Sequence, residues 1–229
     1  FFFFKQKTAY EIDKDYSKTT PGIMSGRRYE NYTKRDMEVI EEAWRKYSEY
    51  AGRIYIHPGV GDMSPQFMSD KVKDHIKLSD CKHPLVIIDY LQITSSEEDR
   101  LTDKQRIDRA VIEIKRMSRD LHIPVLVVSS FNRSGYNEAV AMESMKETGA
   151  IEYSCDVLMG LGLTAVEAVD DEGEKTRKKA IAEAKRKARK DRDKTGDLKL
   201  SLVVLKNRNG KTGEVPLIFH TTNNHFRSV

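Results

Sequence analysis

The order of apolar and polar positions divides the chain into alternating helices and strands. In "TKRDMEVIEEAWRKYSEYAGR" (33–53), Met37, Ile40, Ala43, Trp44 and Tyr47 recur at helical spacing, with Thr33 as N-cap and Gly52 as stop. "RIYIHP" follows as a short strand ended by Pro58, and "SPQFMSDKVKDHIKLSD" puts Pro65 in the first turn of a second helix. Phe67, Val72 and Ile76 share a face of that helix. Residues 84–90, inside "HPLVIIDYLQI", are apolar on both faces, as a central strand of a covered parallel sheet requires. The clearest helix is "TDKQRIDRAVIEIKRMSRDLHI": Thr102 offers the cap, and Ile107, Val111, Ile114, Ser118 and Leu121 alternate at steps of four and three. "PVLVVSSF" and "VLMGLGL" (157–163) read as two more buried strands, and "LKLSLVVLKNRNGKTGEVPLIFH" as two strands joined by a Gly-containing turn. The run 175–194 is helical up to a break at Gly196. The fold class is therefore α/β: a mostly parallel sheet flanked by helices, with right-handed crossovers, closed by a C-terminal antiparallel hairpin.

Composition narrows the function classes. With 229 residues the chain has room for one large α/β domain or two small ones. No apolar run reaches the length of a membrane span, so none is expected. Cys81 and Cys155, the two cysteines, lack metal-ligand spacing and read as reduced thiols of a cytoplasmic protein. The net charge of +4 is modest, but "KTRKKAIAEAKRKARKDRDK" (175–194) is mostly Lys and Arg. Such a run attracts polyanions, and is equally the solvated face of a helix. The start stands apart: "FFFFKQKTAYEI" sets four Phe at a chain end without a secretory pattern. The codons TTC AAG CAG AAG ACG GCA TAC GAG, from a common sequencing-library adapter, spell the stretch from Phe4 to Glu11. Residues 1–12 are accordingly expected to be adapter-encoded, fused to a gene fragment that supplies 13–229.

Four places carry candidate chemistry. Asp89 ends the 84–90 strand, where ligands of open α/β sheets bind. A carboxylate there suits Mg²⁺, which takes one or two acids besides waters and nucleotide phosphates; a strand-end Asp capping a turn is the plainer alternative. Many nucleotidases have a water-activating Glu next, whereas here Tyr90 follows. In "VLVVSSFNRSG" (125–135) a second strand also ends in polar groups: Ser129, Ser130, Asn132 and Arg133. In "MESMKETGAIEYSCDVLMGL", Lys146 and Gly149 offer a cation and a closely approachable backbone amide to a phosphate chain, or simply a helix terminus with Gly149 as its C-cap. In "VVLKNRNGKTGEV", Lys206 and Arg208 stand two apart, on one face at a strand end. A guanidinium aimed at the γ-phosphate supplies about 10³- to 10⁵-fold in rate. The bland counterpart is a hairpin turn that leaves Arg208 in solvent.

In this order, "PLVIIDYLQI", "RAVIEIKRMSRDLHIPVLVVSSFNRS", "KETGAIEYSCDVLMGL" and "VVLKNRNGKTGEVPLIF" resemble the C-terminal motor domain of DnaB-type replicative helicases, above all the Gram-positive and mobile-element variants with "SSFNR". The resemblance implies a RecA-like P-loop NTPase core that uses ATP and Mg²⁺, assembles into a hexameric ring and draws single-stranded DNA through its centre. It implies that Asp89 holds Mg²⁺ through water, and that Arg208, with Lys206 beside it, reaches a neighbour's ATP. It assigns Lys146, Glu147 and Gly149, with Arg133, to the DNA-gripping surface, and names primase and a helicase loader as partners. Three departures qualify it. Ser130 replaces a γ-phosphate-sensing Gln with a shorter side chain. The basic segment up to residue 196 is longer than the usual connection. No G-x-x-x-x-G-K-[ST] occurs, "HPGVGDMSP" lacking the Lys and the following Ser/Thr. The first strand, the phosphate loop and the catalytic Glu are thus expected upstream of this sequence, leaving a fragment that hydrolyses no ATP and, with unpaired sheet edges, aggregates. A RecA-like non-catalytic assembly or nucleic-acid-binding module is the competing reading.

Overall fold

Strand β3, Val86–Asp89, is the middle of the first sheet, and its sequence explains why. Val86 and Ile88 are fully buried, and a strand with such side chains is stable only where neighbours cover it. The computed structural model describes residues 2–5, 33–59, 63–94, 101–131, 138–142, 149–167, 169, 174–221 and 224–229, and these fall into two compact units, 1–129 and 130–229.

In the first unit four parallel strands lie in the order β2-β1-β3-β4, with β1 Phe2–Lys5, β2 Tyr55–Pro58 and β4 Val125–Val127. Phe2 pairs with Val86 and Lys5 with Asp89 on one side of β3, and Val86 with Val125 on the other. The unpaired edge expected beside β3 is therefore closed by the Phe tract itself. A β-ladder reads backbone amides, so this place is open to any β-former, whatever DNA encodes it. The ends of the sheet order are β2 and β4.

Helix α1, Lys34–Ala51, begins at the expected Thr33, whose hydroxyl and backbone form a capping box with Asp36, and stops at Gly52. None of its residues is buried; Trp44, Tyr47 and Tyr50 stack edge to face along its flank. Helix α2, Pro65–Leu78, has Ser64 as N-cap and Pro65 at its start. It buries Pro65, Met68 and Val72, so Met68 takes the core place expected of Phe67. Phe67 instead lies against the His57 ring and beneath the Lys71 ammonium. Helix α3, Asp103–Leu121, carries the expected Thr102 cap, again as a capping box. Its buried seam is Ile107, Ala110, Ile114 and Met117, turned by about one position from the expected one. Val111 and Ser118 are only half-buried, and the Ser118 hydroxyl donates to the Ile123 carbonyl at 2.8 Å.

The second unit corrects the sequence reading. "VLMGLGL" forms strand β5, Val157–Leu163, but pairs antiparallel with β6, Asp197–Asn207, rather than parallel in the first sheet. With β7, Gly213–His220, and β8, His225–Ser228, the expected hairpin becomes a four-stranded antiparallel sheet in the order β5-β6-β7-β8. Strand β6 spans 11 residues and pairs with β5 on one side and β7 on the other. Burial along β5 alternates, as expected of a strand covered on one face only. Helix α4, Gly149–Ser154, precedes β5, and two helices, α5, Thr164–Glu167, and α6, Glu174–Thr195, lie between β5 and β6. Helix α6 is the basic run. It ends, as expected, before Gly196 at φ +76°, and is seated through buried Ile181.

Strand β5 admits the 138–142 segment at unusually close range. A Cβ at Gly162 would come 2.8 Å from the Val140 side chain, and one at Gly160 would overlap it. Both carboxylate oxygens of Glu167 accept the Val140 backbone N–H, at 3.0 and 3.2 Å. Thr164 and Ser201 share a hydroxyl–hydroxyl bond of 2.9 Å, and the fully buried Ser201 in turn bonds Glu214. Burial pushes the Glu167 carboxyl above its ordinary range; the Val140 N–H opposes this and the nearby Glu214 adds to it.

Two outcomes follow. Ile88→Ala, emptying a site with no exposed surface, is expected to cost about 2–5 kcal/mol; a urea midpoint equal to wild type would contradict the central place of β3. For Glu167 the folded-state pKa lies above the unfolded one. Its contribution is therefore full below the unfolded value near 4.5 and is lost as pH rises through the folded value. Glu167→Gln stays neutral, so its stability relative to wild type should increase as pH rises through that window and level off above it; a gap independent of pH would show the site to be solvated.

Candidate nucleotide and nucleic-acid site

The first candidate group sits where β3 leaves the core. Asp89 is the last residue of the strand and is half-buried, and the Asp89–Tyr90 peptide bond is cis. The chain then turns at once through a short 3₁₀ segment, Leu91–Ile93, pinned by the buried Leu91. The neighbouring strand continues alongside: Val128 N–H donates to Ile88 C=O at 2.9 Å, and Leu91 N–H to Val128 C=O at 2.8 Å. Gln92 closes the gap by donating from Nε2 to the Ser129 hydroxyl at 3.1 Å. The expected juxtaposition of two polar strand ends, at Asp89 and Ser129, is therefore present at the carboxyl edge of the parallel sheet.

Gln92 is a residue that sequence reasoning missed. Its Oε1 is buried with no hydrogen-bond partner among the described residues, a state that costs free energy unless water or a ligand supplies the missing bond. The signal was available: Gln92 lies three residues after the strand-end acid, one tight turn away. Oxygen donors of this kind suit Mg²⁺, which needs only one or two protein carboxylates because waters and phosphates complete its octahedron. Among the described residues no three His, Cys, Asp or Glu side chains gather into a metal-holding group.

The second candidate group belongs to the other unit. Lys206 lies in β6 and Arg208 just past its end, and both cations turn to the same short stretch of chain. Lys206 Nζ donates to the Glu152 carbonyl, 2.6 Å away, in the last turn of α4. Carbonyls at a helix end lack intrahelical partners and carry the negative end of the dipole, so a cation is at home there. Arg208 Nη1 lies 2.8 Å from the Asp156 carboxylate, and Arg208 N–H donates to the Asp156 carbonyl at 2.9 Å. Glu152 and Asp156 were not foreseen, since the register of an antiparallel pair is not readable from one strand's residues alone.

The remaining expectations meet the structure unevenly. Ser130 opens the second unit and is half-buried. Gly149 starts α4, so it is not the C-cap considered for it. Arg133, Lys146 and Glu147 lie outside the described residues. Helix α6 presents Lys178, Lys179, Arg186, Lys187, Arg189 and Lys190 on its exposed side. Among the described residues no helix is long and apolar enough to cross a membrane.

A family model described as "DnaB-like helicase C terminal domain" matches residues 23–228. "Replicative DNA helicase DnaB" of Helicobacter pylori (strain ATCC 700392 / 26695) is 28% identical over 145 residues, covering 57% of this chain and 30% of that protein. Its namesake in Mycoplasma genitalium is 22% identical over 207 residues, 86% of this chain and 40% of the relative. "Replicative DNA helicase DnaC" of Bacillus subtilis (strain 168) is 26% identical over 204 residues, covering 84% and 38%. The chain thus spans 30–40% of the length of these relatives. Two solved structures align with all of it. One, an ATPase domain, gives a TM-score of 0.67 at 19% identity, over 74% of that chain. The other, "The Structure Of A DnaB-Like Replicative Helicase And Its Interactions With Primase", gives 0.68 at 18%, over 50%. At such identities the likeness is one of fold, and the fold is the RecA-like ATPase core expected from the sequence.

Proposed function

Because the chain belongs to the family of DnaB-like helicase C-terminal domains, we propose that it is the ATP-driven motor portion of a replicative DNA helicase. It acts in the cytoplasm as one subunit of a hexameric ring on single-stranded DNA, with primase and a loader as partners. The observation that carries this reading is Asp89 at the carboxyl end of a central parallel strand, beside Ser129 at the end of the next strand and the unsatisfied Gln92 oxygen. Open α/β sheets bind nucleotides on that edge.

In this reading Asp89 and Gln92 orient the waters around Mg²⁺, which when bound neutralises triphosphate charge. Lys206 and Arg208 reach the ATP of an adjoining subunit and stabilise charge on the transferring phosphoryl group. Lys146, Glu147 and Gly149, with Arg133, hold the DNA backbone, a grip that weakens with salt and has little regard for base sequence. Ser130 is too short for the phosphate contact a Gln would make.

The competing reading is a RecA-like module that assembles or binds nucleic acid without catalysis; an intact phosphate loop in the complete gene would argue against it, and a degenerate one would favour it. The chain expressed alone is expected to hydrolyse no ATP, with or without single-stranded DNA. In the protein from the complete gene, Arg208→Ala is expected to lower kcat about 10³-fold or more with ATP affinity little changed. DNA-stimulated hydrolysis by the chain alone would overturn its expected inactivity, and an Arg208→Ala protein at the wild-type rate would sink the role given to Arg208.

A further inference from the structure

Lys206 and Arg208 are both engaged, and the nature of their partners differs from that of a permanent structural clamp. The Arg208–Asp156 pair is open to water, with side-chain exposures of 55% and 49%. Exposed pairs of this kind are weak, screened by salt and readily exchanged. A buried pair would hold the guanidinium for good, since removing one partner strands the other charge. Without any anion, the long Arg side chain would disperse over its rotamers. An exposed carboxylate directly opposite is the intermediate case: it orients the cation and still lets it go.

Register explains why Asp156 occupies that place. Val157 faces Asn207 and Leu158 faces Lys206 across the β5–β6 ladder, and the backbone bond from Arg208 N–H to Asp156 C=O carries the pairing one step further. Asp156 and Arg208 are thereby cross-strand neighbours fixed by main-chain bonds, at a distance at which opposite charges meet. The same joint carries the other contact. Residues 151–156 contain the buried Ile151, the Glu152 carbonyl that accepts from Lys206, the Cys155 N–H that donates to Ile151 C=O at 3.1 Å, and Asp156 itself. At six residues α4 is too short to persist on its own hydrogen bonds. Its carboxyl end therefore depends on such outside partners, and its amino end, Gly149, directly follows 143–148 in the chain.

We propose that Asp156 is a positioning residue for Arg208, its carboxylate standing in for the anionic oxygens of a polyphosphate, and that withdrawal of Arg208 and Lys206 to a real polyphosphate releases the carboxyl end of α4. The inference rests on the reading of Lys206 and Arg208 as phosphate-seeking cations given above, and adds what they leave behind when they go.

The test uses the whole 229-residue chain, ¹⁵N-labelled, titrated with inorganic tripolyphosphate at constant ionic strength. In wild type the Arg208 Nε signal and the amides of 149–156 should shift together. Asp156→Asn removes the internal competitor and should tighten tripolyphosphate binding about two- to five-fold, the range of an exposed ion pair. Asp156→Glu should stay near wild type. Damage to the fold would weaken binding, so a gain isolates competition; Asp156→Ser gives a second removal if the Asn variant misfolds. Arg208→Ala should bind more weakly. If Arg208→Ala weakens binding but neither removal of Asp156 tightens it, or the 149–156 amides stay silent, the positioning role is overturned and the cation reading stands. If Arg208→Ala binds like wild type, both fall.

Discussion

The parallel ladder on either side of β3 is the constraint from which the first unit follows. Val86 and Ile88 are fully buried, and a strand of this kind must be flanked and covered. Once it is, its last residue has to emerge at the sheet's carboxyl edge. That is why a carboxylate, Asp89, ends one strand there beside the end of the next, where Gln92 donates to the Ser129 hydroxyl at 3.1 Å. The polar edge is the geometric consequence of an apolar middle.

The second unit is built on another principle. Its sheet is antiparallel throughout, and its special contacts are of two strengths. Val140 is fitted against Gly160 and Gly162, and its backbone N–H is held by a partly buried carboxylate, Glu167. Lys206 and Arg208, by contrast, are held at or near the surface by one carbonyl and one exposed carboxylate.

Much of this was legible in the residues, for local reasons. Thr33, Thr102 and Pro65 announce helix starts because the first N–H groups of a helix need outside partners, and Gly196 marks a stop that only a left-handed residue fills without strain. The seams of α2 and α3 were less legible. Met68 and Met117 are core residues in the structure, yet a flexible side chain gives periodicity a weaker mark than Phe67 or Leu121. The partner of β5 was not legible at all: a short apolar run after a helix suits either sheet direction, and its partner, β6, lies far along the chain. For the candidate site, Asp89, Lys206 and Arg208 were readable as chemistry at strand ends. Gln92, Glu152 and Asp156 were not, since their importance lies in what tertiary contact brings opposite them.

The central claim is that Asp89 and the Lys206–Arg208 pair serve one shared triphosphate pocket from two different subunits. Mixed rings of the protein from the complete gene test it most directly, by measuring ATP turnover when Asp89→Asn subunits, inactive alone, are combined with Arg208→Ala subunits, also inactive alone. Interfaces that join an intact Asp89 to an intact Arg208 should recover hydrolysis in the mixture. Mixed rings that form normally and remain as inactive as either parent would contradict the account.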